Sequence, residues 1–184
     1  CGKCRYCVAG HQSVCELLRT THFDPGGFAE YIRVPRINVE LGTLRIPDSM
    51  TFDEGSFIEP LACVVRGQRF ADIGPGQTVL VIGSGISGLL QLQLARARGA
   101  ARIIATDISE YRLNAAKRFG ADGVINGAED VPARLREANE GRLADRVIVC
   151  TGAMPGIQQA IKSLDRGATL LFFAPTAAGI DVPI

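Results

Sequence analysis

The chain has 184 residues, 47% of them hydrophobic and 21% charged, the balance of an ordinary globular protein with room for one full domain and part of another. Twenty Lys and Arg stand against nineteen Asp and Glu, a formal net charge of +1, so no global field favours nucleic acid or an anionic surface. No apolar run approaches the roughly 20 residues of a membrane span, and a small-molecule partner is the expectation.

The first stretch is CGKCRYCVAGHQSVC, with Cys1, Cys4, Cys7 and Cys15 in a C-x2-C-x2-C-x7-C series. Thiolates two residues apart turn their sulfurs into one small volume, as tetrahedral zinc at about 2.3 Å requires. Four of them close the shell against water and substrate, so a structural zinc is expected. A redox pair would need one C-x-x-C only, and the bacterial ferredoxin run has a shorter last gap and a following proline; both stay open as lesser readings. His11, inside the loop, is expected at the surface. Nothing else resembles a small secreted disulfide scaffold, which favours cytoplasmic chemistry. With no initiator Met and no signal-peptide pattern, the chain is expected to be a fragment.

After the turn cluster Phe23-Asp24-Pro25-Gly26-Gly27, residues 28–34, FAEYIRV, alternate like a strand ended by Pro35, which predicts β-rich structure here. Residues 37–50 read as short and irregular. Residues 51–70 read as two short helices, the second with Pro60 in its first turn. The loop Ile73-Gly74-Pro75-Gly76 marks a domain boundary, dividing the chain into 1–72 and 73–184.

From Thr78 strand and helix alternate. TVLVIG is a continuous apolar run, and ISGLLQLQLARAR carries a helical stripe at Ile86, Leu89, Leu90 and Leu94. ARIIATD, SEYRLNAAKRFG closed by Gly120, GVIN, VPARLREANEGR, DRVIVC, GIQQAIKSL and ATLLFFA follow. Five strands separated by helices predict an α/β fold with a doubly wound parallel sheet. The closing GIDVPI has strand-like content.

Gly83-Ser84-Gly85-Ile86-Ser87-Gly88 closes the first strand, opens a helix and stands 19 residues before Asp107. Gly83 permits the sharp turn, Gly85 lets the backbone approach a pyrophosphate, and Gly88 lets helix and strand pack closely; Ser84 and Ile86 belong to the same phosphate-binding turn. Asp107 is expected to accept hydrogen bonds from the adenosine ribose, and its charge would repel a 2′-phosphate, so NAD is preferred over NADP. Arg112 either pairs with Asp107 or stacks on the adenine. Cys150 and Thr151, at the tip of DRVIVC, are expected to wall the cofactor cleft. A methyltransferase-type domain also uses a glycine turn and an acid after its second strand, and is the rival for this half.

A four-cysteine lobe followed by GGFAEY, EPLAC and this glycine turn resembles the medium-chain zinc-dependent alcohol dehydrogenases, especially the polyol and threonine dehydrogenase branch, over essentially the whole chain. The resemblance implies a partial GroES-like catalytic domain at 1–72 with a structural zinc on Cys1, Cys4, Cys7 and Cys15. It implies a truncated NAD-binding Rossmann domain at 73–184, and a homo-oligomer, dimer or tetramer. Glu59, in E-P-L, would be catalytic, meeting a catalytic zinc directly or through water; its other reading is a carboxylate at a helix start. Cys63 is expected as a small buried helix residue. The family places its remaining catalytic-zinc ligands, a cysteine and a His-Glu pair, upstream of the lobe, and it adds a sixth strand. This chain, with His11 and His22 alone, shows neither and is expected to be inactive by itself. The parent protein would pass a hydride between an alcohol or polyol and NAD. The alternatives are a zinc-lobed nucleotide-binding regulatory module without catalysis and a methyltransferase-like domain for S-adenosylmethionine.

Overall fold

A computed structural model describes residues 1–182, which pack as two units divided between Gly55 and Ser56. The first unit is built from short helices: α1 (Arg5–Val8), a 3-10 turn (Gln12–Val14), α2 (Glu16–Thr20), α3 (Arg36–Gly42) and α4 (Phe52–Gly55). Cys7 and Cys15 are its only buried side chains. A unit of this size without an apolar core lacks the burial that normally offsets chain entropy.

The strand expected at 28–34 does not form. Only an isolated antiparallel bridge joins Asp24 to Arg33, and Phe28 and Tyr31 stay exposed. Alternation gives a segment two faces, but a strand also needs a neighbour to complete its ladder, and no described residue of this unit supplies one. The β-rich expectation for this part is therefore corrected to short helices and loops. Within residues 37–50, expected as irregular, the chain forms most of α3 (Arg36–Gly42), directly after Pro35.

The second unit opens on α5 (Ile58–Phe70), with Pro60 in its first turn as expected. Five parallel strands follow, β1 (Thr78–Ile82), β2 (Arg102–Asp107), β3 (Gly123–Asn126), β4 (Ala144–Val149) and β5 (Leu164–Phe172), in the order β3-β2-β1-β4-β5. Between them run α6 (Ile86–Ala97), α7 (Glu110–Arg118), α8 (Val131–Ala138) and α9 (Met154–Lys162). One face of the sheet buries Leu92, Ala95 and Ala116 from α6 and α7; the other buries Leu135, Ile157 and Ala160 from α8 and α9. Val79, Leu80 and Val81 of the central strand have no exposed surface, which is why that run is apolar on both faces. This is the doubly wound Rossmann sheet. Sheet order reverses at β1, between β2 and β4, and their carboxyl ends open the crevice where such sheets bind ligands.

Two details differ from the sequence expectation. The buried face of α6 is Gly88, Gln91, Leu92 and Ala95, while Ile86 is exposed. Gly88 sets this rotation, since a Cβ there would lie 1.9 Å from the Gly83 carbonyl oxygen. The helix therefore turns its glycine, not its largest side chains, against the strand end. The packing division also lies before α5 rather than after it. Gln68 of α5 has no exposed surface, and its Nε2 donates to the backbone carbonyl and the Oε1 of Gln91 at 2.7 and 2.9 Å. Of the closing GIDVPI, Gly179 lies in a turn, Asp181 and Val182 are irregular, and Pro183 and Ile184 lie outside the described residues.

Candidate functional site

The sulfurs of Cys1, Cys4, Cys7 and Cys15 all lie within 4.8 Å of one another. Cys1 Sγ is 3.9 Å from Cys7 Sγ and 3.6 Å from Cys15 Sγ, and none of the four is in a disulfide. Sulfurs about 2.3 Å from one tetrahedral ion are separated by about 3.8 Å, so the donor set has the dimensions of a zinc shell. Its chemistry agrees: the Leu18 N–H, with smaller help from the Cys7 thiol and the Leu17 N–H, lowers the Cys15 thiol against its burial. Burial pushes Cys7 up instead. A cation within the cluster would favour all four thiolates over that cost. His11 and His22 are exposed and stand apart from it.

At the carboxyl end of the sheet lies a cavity of about 320 Å³, and Gly83, Gly85, Asp107, Arg112, Cys150 and Thr151 all line it. Two of the glycines have different reasons to be glycine. Gly83 has φ +96°, and a Cβ on it would lie 3.1 Å from the Cys150 carbonyl oxygen. Gly85 has an ordinary φ of −71°, and no protein atom lies within 4 Å of a Cβ built on it. Nothing in the protein requires a glycine there. The open space lies where a pyrophosphate would meet the first turn of α6, whose N–H groups no side chain caps.

Ser84 and Gly88 lie beneath this turn and do not line the cavity. Ser84 is buried with its hydroxyl donating to the Thr106 carbonyl at 3.0 Å, so its side chain fastens the turn to β2. Ile86 is exposed beside the turn. Asp107 is nearly buried; its Oδ2 accepts the Ser84 N–H and its Oδ1 the Ser109 N–H, each at 2.9 Å. Arg112 Nη1 stands 3.7 Å from Oδ2. Each carboxylate oxygen keeps acceptor capacity for a hydroxyl. Burial pushes the Cys150 thiol up to about 12, which leaves it an inert wall at neutral pH.

Glu59 is exposed in the first turn of α5, where its Oε1 accepts a hydrogen bond from Cys63 Sγ at 3.1 Å. That carboxylate raises the Cys63 thiol. Cys63 is exposed, not buried as expected. Among the described residues the four cysteines form the only cluster of three or more metal-type donors, so no catalytic-metal shell is assembled around Glu59. Reading the sequence also missed Gln159, whose side chain lines the cavity from α9; a lone glutamine on an amphipathic helix gives no signal.

Residues 87–184 match the family model of the zinc-binding dehydrogenases. Mouse (Mus musculus) sorbitol dehydrogenase is 36% identical over 143 residues, covering 76% of this chain and 40% of that one. The solved galactitol-1-phosphate dehydrogenase of Escherichia coli superposes with a TM-score of 0.81 at 28% identity, over 100% of this chain and 52% of that one. A Sinorhizobium meliloti 1021 protein solved bound to NADP gives 0.84 at 30% identity, over 100% and 54%. The chain spans about half the length of the curated relatives it matches.

Proposed function

The chain belongs to the zinc-binding dehydrogenase family, and from that premise we propose that it supplies the dinucleotide-binding half of a zinc-dependent oxidoreductase acting between an alcohol or polyol and NAD. The observation that carries this reading is the convergence of the turn at Gly83 and Gly85, the uncapped start of α6 and the Asp107 carboxylate on one cavity. Gly85 and the α6 amides would take the pyrophosphate, and Asp107 the adenosine ribose. Cys150 and Thr151 would line the side toward the nicotinamide, with Cys150 excluding water rather than reacting. Arg112 beside Asp107 would contact the adenine edge or partly offset the carboxylate charge.

When bound, the dinucleotide supplies the hydride acceptor, and the protein's part is to hold it in register. The four-cysteine zinc would pin the coreless first unit and not touch substrate. In functional terms residues 1–72 would belong with the catalytic domain and 73–184 with cofactor binding, and Glu59 of α5 would meet, directly or through water, a catalytic zinc whose other ligands the described residues do not supply. Polyols are the favoured substrate class because the names of two similar proteins are those of polyol and polyol phosphate dehydrogenases. A cytoplasmic homo-oligomer is the accompanying expectation. Among the described residues no helix is long and apolar enough to cross a membrane.

The test is an absorbance assay of NADH formation with a panel of polyols and secondary alcohols, with and without added zinc. The reading predicts alcohol-dependent reduction in the protein that carries this chain. Tight NADH binding with no hydride transfer from any alcohol would favour a regulatory module.

A further inference from the structure

The connection from β3 to α8 forms one wall of the cavity through Gly127 and Val131. It leans on the residues expected to meet the adenosine. The Gly127 N–H donates to the Asp107 carbonyl at 3.0 Å, and a Cβ on Gly127 would lie 3.5 Å from Ile108 Cγ2. Gln159, half-buried on α9, reaches across to this connection. Its Oε1 accepts the Val131 N–H at 2.8 Å, and its Nε2 donates to the carbonyls of Gly127 and Glu129, each at 2.9 Å. A primary amide has two N–H donors, and both are committed here. Gln159 therefore has no N–H to offer a ligand, although it lines the cavity. Its Oε1 keeps one acceptor lone pair, so toward a ligand it holds the wall and at most accepts one hydrogen bond.

We propose that Gln159 is a positioning residue for the adenosine end of the dinucleotide. It fixes how far the wall of residues 127–131 stands from Asp107 and Ile108, and so the width of the slot that receives adenine and its ribose. The assignment rests on reading this cavity as a dinucleotide site. The ligands that feel it are 5′-adenylates. A nicotinamide ribotide carries the same kind of phosphate without the adenine and is indifferent to it, which separates positioning from a general loosening of α8 against α9.

The experiment compares the unsubstituted chain with Gln159→Met, which keeps the length of the side chain and removes all three hydrogen bonds. Calorimetric titration with 5′-AMP, NADH and nicotinamide mononucleotide is the readout. The dissociation constants of 5′-AMP and NADH should rise about tenfold, the worth of one or two hydrogen bonds, and that of nicotinamide mononucleotide should not move. Equal weakening of 5′-AMP and nicotinamide mononucleotide, or no weakening of 5′-AMP, overturns the assignment. Hydrogen exchange in the unsubstituted chain gives a test that does not depend on the variant's folding. Saturating 5′-AMP should slow exchange at residues 128–131 while nicotinamide mononucleotide does not, and protection by both or by neither overturns the proposal. Should the unsubstituted chain bind neither 5′-AMP nor NADH, the dinucleotide reading falls and the assignment with it. Should both chains bind both ligands alike, only the assignment falls.

Discussion

Asp107 accepts the backbone N–H of Ser84 at 2.9 Å, so the carboxylate at the end of β2 also holds the glycine turn that closes β1. The side chain expected to recognise the ribose thus positions the backbone expected to receive the pyrophosphate. Asp107→Asn tests both roles. The amide keeps one oxygen acceptor and removes the charge that repels a 2′-phosphate, leaving Arg112 unopposed. NADH affinity should fall about tenfold while NADPH affinity holds or improves, measured by nicotinamide fluorescence. An equal loss for both would mean that the residue acts on the turn alone.

The glycines of the turn make opposite predictions. Gly88→Ala puts a Cβ 1.9 Å from the Gly83 carbonyl oxygen, in a place where helix and strand cannot separate cheaply. Thermal or urea denaturation should show a loss of about 3 kcal/mol. Gly85→Ala meets no protein atom within 4 Å, so stability should be unchanged while NADH affinity drops about tenfold or more. If Gly85→Ala bound NADH normally, the pyrophosphate would not lie on this turn.

Zinc removal should unfold one unit and spare the other. Cys7 and Cys15 are the only buried side chains of the first unit, whereas the second has a full core on both faces of its sheet. Hydrogen exchange after chelation should show residues 1–55 exchanging like free peptide while the amides of β1, β2 and β4 remain protected. Retained protection in 1–55 would contradict a metal-held lobe.

Thiol reactivity reports the same geometry through pH. Of six cysteines, four would be sheltered by zinc, and Cys150, raised to about 12 by burial, stays a thiol throughout the neutral range. At pH about 8 a disulfide reagent should label Cys63 alone in the zinc-loaded chain, and the four cluster thiols as well once zinc is removed. The Glu59 carboxylate raises Cys63 by holding its proton, so Glu59→Gln should move the labelling curve to lower pH and speed it at fixed pH. A shift the other way would refute the Glu59–Cys63 contact.

The sheet was legible because its strands are apolar runs punctuated by glycine, and a parallel sheet buried on both faces needs such runs. The four cysteines were legible because short spacing alone brings their sulfurs together. What escaped depends on tertiary partners. Residues 28–34 alternate correctly but find no strand to pair with, and the Ile86, Leu89, Leu90, Leu94 stripe misjudged the rotation of α6 because the face against the strand is set by Gly88. Ser84 looked like a ligand contact by its place in the motif, yet its side chain faces β2. The engagement of Gln159 with residues 127–131, and of Gln68 with Gln91, joins positions 23 or more apart, and no local pattern announces it.

The most direct measurement is a titration of the chain with NADH, with S-adenosylmethionine as competitor, followed by nicotinamide fluorescence. The crevice above β1, β2 and β4 should take about one NADH per chain and release none of it to S-adenosylmethionine. Binding of S-adenosylmethionine with no binding of NADH would contradict the oxidoreductase reading at its root.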